Sequence, residues 1–385
     1  MIQRDWNHAS IVIWWVRINE SPDSHDFYTR TNALAHVLDT TRPTGGVRYI
    51  SESELLEDVY TMNDFILGNE ENGGNRPRTP LRPQLEVTGL DRVVRCMITE
   101  FGGHMYPTKN HDQEQRHGEH VTRHLEVLNA MYGDPQIAGA IGWCAFDYNT
   151  HKDFGSGDRI CHHGVMDMFR EPKFAAYAYA SQGDPAGGVV LKPVTFWARG
   201  ERNIGGALPL IVLTNCEEIE LRYGDSQVKR VAPDRERYPH LPYAPVIVDR
   251  RHYIKDELGL WGMSWEDVTI IGLIGGKVVA TQRLVANPIA YALEVVPDAT
   301  RVGAHEAVRV MVRALDQADN KLPFFREPVS ITVSGAGWRI GPGFVPLRAG
   351  STGFWVQASG PGEIAVTVHS DRLGSKVVQL WAETR

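Results

Sequence analysis

The chain contains, from Ile11 to Glu20, the stretch IVIWWVRINE. Its first six residues are all apolar, and most are β-branched or aromatic, which predicts a strand that is buried on both faces. The stretch then ends in an amide and a carboxylate, Asn19 and Glu20. Because the working residues of parallel β/α folds lie at the carboxyl ends of strands, this polar pair is a candidate functional site.

The pattern around this stretch extends over residues 1–183, where short apolar runs alternate with amphipathic helical patterns. The predicted strands are IVIWWV, TGGVRYI, DVYTMNDFIL, RVVRCMITEF and IAGAIGWCAFDY. One helix is predicted in DFYTRTNALAHVLDTT, with Leu34, Val37 and Leu38 on its apolar face, and another in EHVTRHLEVLNAMYG. Strands and helices in alternation predict parallel β/α units.

The pattern of apolar residues changes after the Gly- and Pro-rich stretch SQGDPAGG at 181–188, which is a linker candidate. Beyond it, period-two alternation with turns between the runs predicts strands throughout. Their number and length predict two β-sandwich domains of immunoglobulin-like size, at 189–287 and 288–385. The fold class expected is therefore α/β followed by all-β.

Composition narrows the class of function. The formal net charge of −7 over 385 residues gives no electrostatic case for binding nucleic acid or an anionic membrane. No apolar run is long enough for a transmembrane helix, and the chain as given has no signal-peptide pattern, which predicts a cytoplasmic protein. The four cysteines form no CxxC pair, so reduced thiols and no zinc site are expected.

Two further strand ends carry unusual polar groups. RVVRCMITEF runs to Glu100 and Phe101, and IAGAIGWCAFDY contains Trp143 and ends in Asp147 and Tyr148. Glu20 and Glu100 on the strand ends of one barrel would supply the acid/base and the nucleophile of glycoside hydrolysis. An ionised Glu100 is expected to keep Glu20 protonated. From the pattern alone, a strand-end Glu is equally consistent with a helix N-terminal residue or a salt-bridge partner.

Two histidine-rich stretches are weaker candidates for metal sites. His120 and His124 lie one helical turn apart, but the order of the HExxH motif is not met, and a solvated helix face is favoured. The run CHHG at 161–164 has no second ligand pair at the spacing of a zinc site, which favours loop packing.

The flanking residues of the strand ends resemble glycoside hydrolase family 2. RDWNHASIVIWWVRINES is similar to the family's acid/base signature, R-D-x-N-H-P-S, an apolar strand and N-E, with Ala9 in place of the usual Pro and one extra strand residue. MITEFGGH resembles its nucleophile strand, and IGWCAFDY its last barrel strand. The resemblance implies that Glu20 is the acid/base, Glu100 the nucleophile, Asn19 a ligand of the sugar 2-hydroxyl and Trp143 an aromatic platform.

Four more residues are implied as substrate ligands. A His lies near the position of His104 in the family's β-galactosidases. Asn63 and Asp64 end the strand that matches the sixth barrel strand of the family, and Arg48 follows TGGV.

In the family, the signature around Glu20 lies on the fourth barrel strand. The chain is therefore expected to hold a partial TIM-type β/α barrel, strands four to eight, followed by the two immunoglobulin-like sandwiches, which resemble accessory domains of many bacterial members. Such a half barrel has open edges, and a homo-oligomer that covers them is predicted. No cofactor and no metal are expected, because the resemblance assigns two ligands of the family's magnesium site to earlier regions of the fold.

The resemblance implies a retaining exo-β-galactosidase that hydrolyses terminal β-D-galactosides and can transfer galactose to another sugar. The Asn-x-Lys motif with which the family's β-glucuronidases bind the sugar carboxylate is absent from GSGDRICHHG at 155–164, which favours a neutral saccharide as substrate. Two alternatives stay open. One is an inactive truncated fragment or carbohydrate-binding scaffold, and the other is a family 2 enzyme that acts on β-mannosides or β-glucuronides.

Overall fold

The computed structural model describes most of the chain and divides it into two compact units. The residues described are 1–64, 81–102, 106–201, 206–224, 227–253 and 264–384. The first unit comprises 1–108, 119–165 and 234–244, and the second 109–118, 166–233 and 245–385. None of the described helices is long and apolar enough to cross a membrane.

The first unit is built on parallel strands in chain order. Strand β1 (Trp14–Trp15) pairs with β2 (Thr44–Gly45), and β3 (Tyr60–Asn63), β4 (Cys96–Phe101) and β5 (Ile137–Gly142) form a sheet in the order β3-β4-β5. Backbone hydrogen bonds connect the two sets, from Val59 N to Thr44 O at 3.1 Å and from Asn63 N to Arg48 O at 2.7 Å. The expected half-barrel sheet is thus confirmed. Its strand numbers within the family barrel stay a prediction.

The remaining elements of this unit are short, apart from two helices. A hairpin joins β6 (Tyr148–Asn149) and β7 (Ile160–Cys161). The helices are α1 (Ile2–Asp5), α2 (His25–Leu38), α3 (Gln84–Thr88) and α4 (Glu114–Gly133), of which α4 begins in the second unit.

The apolar face predicted for α2 is wrong for Leu34 and Val37, whereas Leu38 packs against the core cluster of Ile2, Trp14 and Ala35. Leu34 and Val37 are 57% and 78% exposed, whereas Tyr28 and Ala35 are buried. The inner face of α2 carries hydrogen-bonding groups instead, among them Thr31, whose hydroxyl donates to the carbonyl of Val16 at 3.0 Å. Because these polar groups find backbone acceptors, they can lie against the strands, and the apolar periodicity gives no sign of that face.

A buried ionic group fixes the segments after β1 and β2. Glu57 accepts hydrogen bonds from Nε of Arg17 at 2.9 Å and from the guanidinium of Arg48, and no side chain of the three is more than 2% exposed. Burial opposes the ionisation of Glu57, but Arg48 and Arg17 outweigh it and hold the pKa of Glu57 below its usual value. The group anchors the backbone that leads to Asn19 and Glu20.

The helix face with His120 and His124 is buried, so the expectation of a solvated face is wrong. Each histidine is 3% exposed, and their Nε2 atoms lie 3.2 Å apart. The His124 ring packs edge-on against Phe101 at 5.6 Å, which gives this polar pair an aromatic partner in the interior. Within the described ranges, no three His, Cys, Asp or Glu side chains are grouped so that they could hold a metal.

The second unit holds two pairs of facing sheets, besides helix α5 (Ala176–Ala180). In the first pair the sheet orders are β12-β9-β8 and β11-β10-β13-β14. Its strands are β8 (Leu191–Pro193), β9 (Leu210–Thr214), β10 (Glu218–Tyr223), β11 (Gln227–Val231), β12 (Val246–Val248), β13 (Val268–Ile274) and β14 (Lys277–Leu284). One core cluster contains residues of both sheets, including Val212 and Ile270, so the sheets enclose a common core.

The second pair follows the same plan, with sheet orders β15-β17-β21-β19 and β16-β23-β22-β18-β20. Its strands are β15 (Ala292–Pro297), β16 (Arg301–Gly303), β17 (Ala307–Leu315), β18 (Pro328–Gly335), β19 (Gly337–Ile340), β20 (Phe344–Pro346), β21 (Ser351–Ala358), β22 (Gly362–Ser370) and β23 (Gly374–Glu383). Both sheets contribute to one core. The immunoglobulin-like assignment and the boundaries at 183, 189, 287 and 288 stay predictions.

Candidate active site

Three of the predicted site residues meet at the ends of neighbouring strands. Asn63 ends β3 and stands in register with Glu100 on β4. The Nδ2 atom of Asn63 donates to Oε2 of Glu100 at 2.8 Å and to Oδ1 of Asn19 at 3.1 Å. The amide of Asn63 therefore links the strand end of the predicted nucleophile to the segment that carries the predicted acid/base.

Thr99 sets the orientation of that amide. Its hydroxyl donates to Oδ1 of Asn63 at 2.9 Å, so the amide nitrogen is left to face Glu100 and Asn19. Sequence reasoning missed Thr99 because strand alternation puts it on the face opposite to Glu100. The registers of β3 with β4 and of β4 with β5 both shift here, which breaks the alternation. The only signal is its place directly before Glu100.

Replacing Thr99 by Val tests this positioning. We expect Thr99→Val to lower kcat/KM for an aryl β-galactoside by about tenfold, because an unanchored Asn63 amide can turn away from Glu100. Thr99→Ser keeps the hydroxyl and is expected to stay within about twofold of the parent. Equal kinetics for the parent and the valine variant, with both folded, would show that Asn63 does not depend on Thr99.

Glu20 lies at an exposed turn directly after Asn19. Its backbone has a φ of 56°, in the left-handed region that non-glycine residues seldom adopt. The N–H of Glu20 donates to Oδ1 of Asn19 at 2.9 Å, which stabilises the turn. Asn19 Oδ1 thus accepts from both Glu20 and Asn63. The Nδ2 atom of Asn19 has no hydrogen-bond partner among the described residues, and the residue is exposed, so this donor is available to a ligand.

The electrostatics of the two carboxyl groups differ from the expectation. Burial raises the pKa of Glu100 to about 7, and the charge of Glu20 adds to the rise. The sequence predicted that Glu100 would act on Glu20 in this way, and this prediction is wrong in its direction. The physical reason is burial, because Glu100 is partly covered by its neighbours whereas Glu20 is exposed.

This shift has a consequence for stability. Since its pKa is raised in the folded state, the Glu100 carboxyl stabilises the fold below its ordinary pKa, and this contribution is lost as the pH rises through about 7. We expect Glu100→Gln to raise the free energy of unfolding by about 1–2 kcal/mol at pH 8, after allowing for partial exposure. At pH 5 the gain should be much smaller. Urea unfolding at both pH values measures this difference, and an equal gain at the two would contradict the shift.

The other predicted residues lie in varied surroundings. Trp143 is 38% exposed, its ring packs edge-on against Tyr148 at 6.0 Å, and its backbone N–H donates to the carbonyl of Phe101 at 2.8 Å. The carboxylate of Asp64 is buried and accepts from the backbone N–H of Arg82 at 3.1 Å and from its Nε at 3.3 Å. Trp143 is thus partly open to solvent, whereas the carboxylate of Asp64 is paired with the guanidinium group of Arg82.

The side chain of Arg48 is occupied by partners other than this group. Arg48 is 2% exposed and donates to Glu57, Ser53, Thr61 and the carbonyl of Glu54. Its contact with a substrate stays a prediction. His104 lies outside the described residues.

Comparison with known proteins bears on the family. Residues 1–184 match the family model described as "Glycosyl hydrolases family 2, TIM barrel domain". A β-galactosidase of Rhizobium meliloti is 57% identical over 372 residues, 96% of this chain and 49% of that protein. One of Thermoanaerobacterium thermosulfurigenes is 53% identical over 354 residues, 91% of this chain and 48% of that protein. The chain thus spans about half the length of these relatives.

Comparison with solved structures concerns the fold alone. A β-glycosidase from Bacteroides vulgatus superposes with a TM-score of 0.70 at 18% identity, over 99% of this chain and 52% of that one. Its fold agrees with the half-barrel sheet and the strands described above. By the match of its barrel segment and by its relatives, this chain belongs to glycosyl hydrolases family 2.

Proposed function

We propose that this chain carries the catalytic residues of a retaining exo-β-galactosidase, with Glu100 as nucleophile and Glu20 as general acid/base. The observation that carries the proposal is the Asn63 amide, which joins Glu100 to the Asn19–Glu20 turn. The names of the two relatives above, both β-galactosidases, support galactose as the sugar.

The reaction would run in two displacements. The ionised carboxylate of Glu100 attacks the anomeric carbon while Glu20 protonates the departing glycosidic oxygen. Glu20 then removes a proton from water, or from the hydroxyl of a second sugar, and this oxygen displaces Glu100 from the anomeric carbon. Two inversions leave the configuration of the sugar unchanged.

Two other residues are suited to hold the sugar. The oxygen of the Asn19 side chain is engaged by Glu20 and Asn63, so its nitrogen is the group that can donate to a sugar hydroxyl. The exposed ring of Trp143 offers a flat apolar face for the C–H side of a pyranose.

The pH dependence of the rate tests the role of Glu100. Only the ionised carboxylate attacks, and its pKa is raised to about 7. The kcat/KM for an aryl β-galactoside should therefore rise with pH, and the midpoint of the rise should lie near pH 7. A kcat/KM that stays level from pH 5.5 to pH 8 would contradict the claim that the ionised carboxylate of Glu100 is the attacking group.

The experiment that tests the function is hydrolysis of three aryl glycosides by the purified chain. We expect turnover of the β-galactoside, little of the β-mannoside and β-glucuronide, and release of the β-anomer of galactose in an NMR time course. Faster cleavage of either other glycoside would overturn the choice of sugar. No turnover by a folded chain would favour the alternative of a truncated fragment or a carbohydrate-binding scaffold.

We further propose that the chain forms a homo-oligomer. Within the described residues β1 pairs only with β2, so one edge of the first parallel pair has no partner there, and such edges are usually covered. Light scattering after size exclusion at micromolar concentration should give a mass above that of one chain. A single monomeric species would contradict this.

A further inference from the structure

The second unit contains a pocket of about 330 Å³. None of the candidate active-site residues lines it. Its walls come from segments far apart in the sequence, which include His117 on α4, Phe174 and Tyr177, Lys192 on β8, and Lys321. The pocket therefore exists only once this unit has folded. Two of its polar groups, Lys192 and His117, indicate what it could bind.

Lys192 is unusual among the charged residues of the pocket. Its Nζ lies 5.6 Å from the ring centre of Phe174 and 5.2 Å from that of Tyr177. In the part of the chain that the structure describes, no carboxylate is within ion-pair distance of it. Arg313 and Lys321, by contrast, both bind Glu171, at 2.8 Å and 3.3 Å. Among the described residues, the ammonium group of Lys192 is thus held by the rings of Phe174 and Tyr177.

His117 is the second unusual group. It is 2% exposed, and neither ring nitrogen completes a hydrogen bond with a described residue. Its ring packs edge-on against Phe174 and Phe196, each at 5.5 Å. Burial lowers the pKa of His117 to about 4, against the opposing charge of Asp112 and the nearby backbone of Asn110. The imidazole is therefore neutral near pH 7 and presents one donor and one acceptor, which a hydroxyl group can satisfy together.

We propose that this pocket binds a small polyhydroxylated monocarboxylate, a sugar acid, with its carboxylate on Lys192 and a hydroxyl group on His117. Phe174 contacts both residues, so the two groups belong to one wall. A ligand of this class matches what each group lacks: an anion for the ammonium group, and a hydroxyl for the neutral imidazole.

The charges of the pocket favour a monoanion over a phosphate. Equal numbers of acidic and basic side chains line it, namely Glu171, Glu294, Asp316 and Asp319 against Lys173, Lys192, Arg313 and Lys321. A dianion would add two negative charges to walls that are already balanced. A carboxylate adds one, next to an ammonium group that forms no ion pair with a described residue. The volume of the pocket is ample for a six-carbon acid.

The titration of Lys192 gives the proposal a pH signature. Burial, and then repulsion by Lys321, lower the pKa of Lys192 to about 8, with Glu171 acting in the opposite direction. The other charged and titratable groups of the pocket are His117, Glu171, Lys173, Tyr177, Glu294, Arg313, Asp316, Asp319 and Lys321. Because the anion binds the protonated amine, affinity should be constant below pH 8 and fall about tenfold per pH unit above it.

The test is calorimetric titration of the full chain with D-gluconate, with D-glucose as neutral counterpart and inorganic phosphate as second anion. Gluconate should bind, glucose and phosphate at least about tenfold more weakly. Lys192→Met should weaken gluconate binding at least about tenfold, and Lys192→Arg should retain binding and remove the loss above pH 8. The matched control is Lys229→Met, since Lys229 also lies over a ring, that of Tyr253, outside the pocket.

Three results would overturn the proposal, each from chains whose circular dichroism matches the parent. They are no gluconate binding up to about 20 mM, equal binding by the parent and Lys192→Met, and phosphate binding as tight as gluconate. The last would mean a general anion site without recognition of hydroxyl groups. Because no active-site residue is altered, these outcomes are independent of glycosidase activity.

Discussion

Glu100→Gln is expected to lower hydrolysis of an aryl β-galactoside by at least about a thousandfold. The amide keeps the size of the side chain and can still contact Asn63, but it cannot form the glycosyl ester. Initial rates of the purified variant beside the parent measure the loss. Residual activity within about tenfold of the parent would contradict the assignment of Glu100 as nucleophile.

Glu20→Gln separates the two carboxyl groups. Loss of the acid should slow cleavage most where the leaving group needs a proton, so lactose should suffer far more than a dinitrophenyl galactoside. The Glu100 variant should be slow on both substrates. If the two variants lost activity on both substrates in the same proportion, the division into nucleophile and acid/base would be wrong.

Glu57→Ala should have the largest effect on stability, a loss of about 3–5 kcal/mol. The carboxylate of Glu57 is fully buried and is shared by Arg17 and Arg48, which are also buried. Its removal leaves two guanidinium groups in the interior without this partner. Glu57→Gln keeps the shape but not the charge, and should also be strongly destabilised. The midpoint of urea unfolding measures both variants.

The matched control for this prediction is Glu54→Ala. Glu54 forms an exposed ion pair with His25 at 2.9 Å, and such pairs contribute at most about 1 kcal/mol. Comparable losses for the Glu54 and Glu57 variants would show that burial of the ionic group does not determine its contribution.

The positions of the two candidate carboxyl groups, Glu20 and Glu100, could be predicted because their signals are local. A continuous apolar run followed by Asn19 and Glu20 predicts a strand end, and parallel strands bring such ends to one edge of a sheet. The prediction that the whole run is a strand buried on both faces is wrong, because β1 is only Trp14–Trp15 and Val12 is 70% exposed. Asn63 was a candidate through the resemblance, as the end of the strand that matches the sixth barrel strand of the family, and the structure joins it to Glu100. The resemblance to the family supplied the roles, which periodicity alone leaves open.

Other features depend on tertiary contacts that the sequence does not reveal. Thr99 reaches Asn63 only because the strand register shifts beside it. The inner face of α2 is polar, so a search for apolar periodicity selected the exposed Leu34 and Val37. His120 and His124 are buried by aromatic packing that no local pattern reports.

The prediction that Glu100 would keep Glu20 protonated was wrong for a related reason. Which of two acids has the raised pKa depends on how deeply each is covered, and burial is a property of the fold. Glu100 is the more covered of the two carboxyl groups, so it is the one whose pKa is raised.

The measurement that tests the central claim most directly is covalent trapping with a 2-deoxy-2-fluoro-β-galactosyl fluoride. The fluorine at C2 slows both displacements. Fluoride at C1 is a good leaving group that lets the first displacement proceed, so the glycosyl-enzyme intermediate accumulates. Mass spectrometry of the digested chain should find one fluorogalactosyl group per chain, on the peptide that contains Glu100. A label on Glu20 or on any other residue, or none on a chain that hydrolyses the aryl galactoside, would contradict the account.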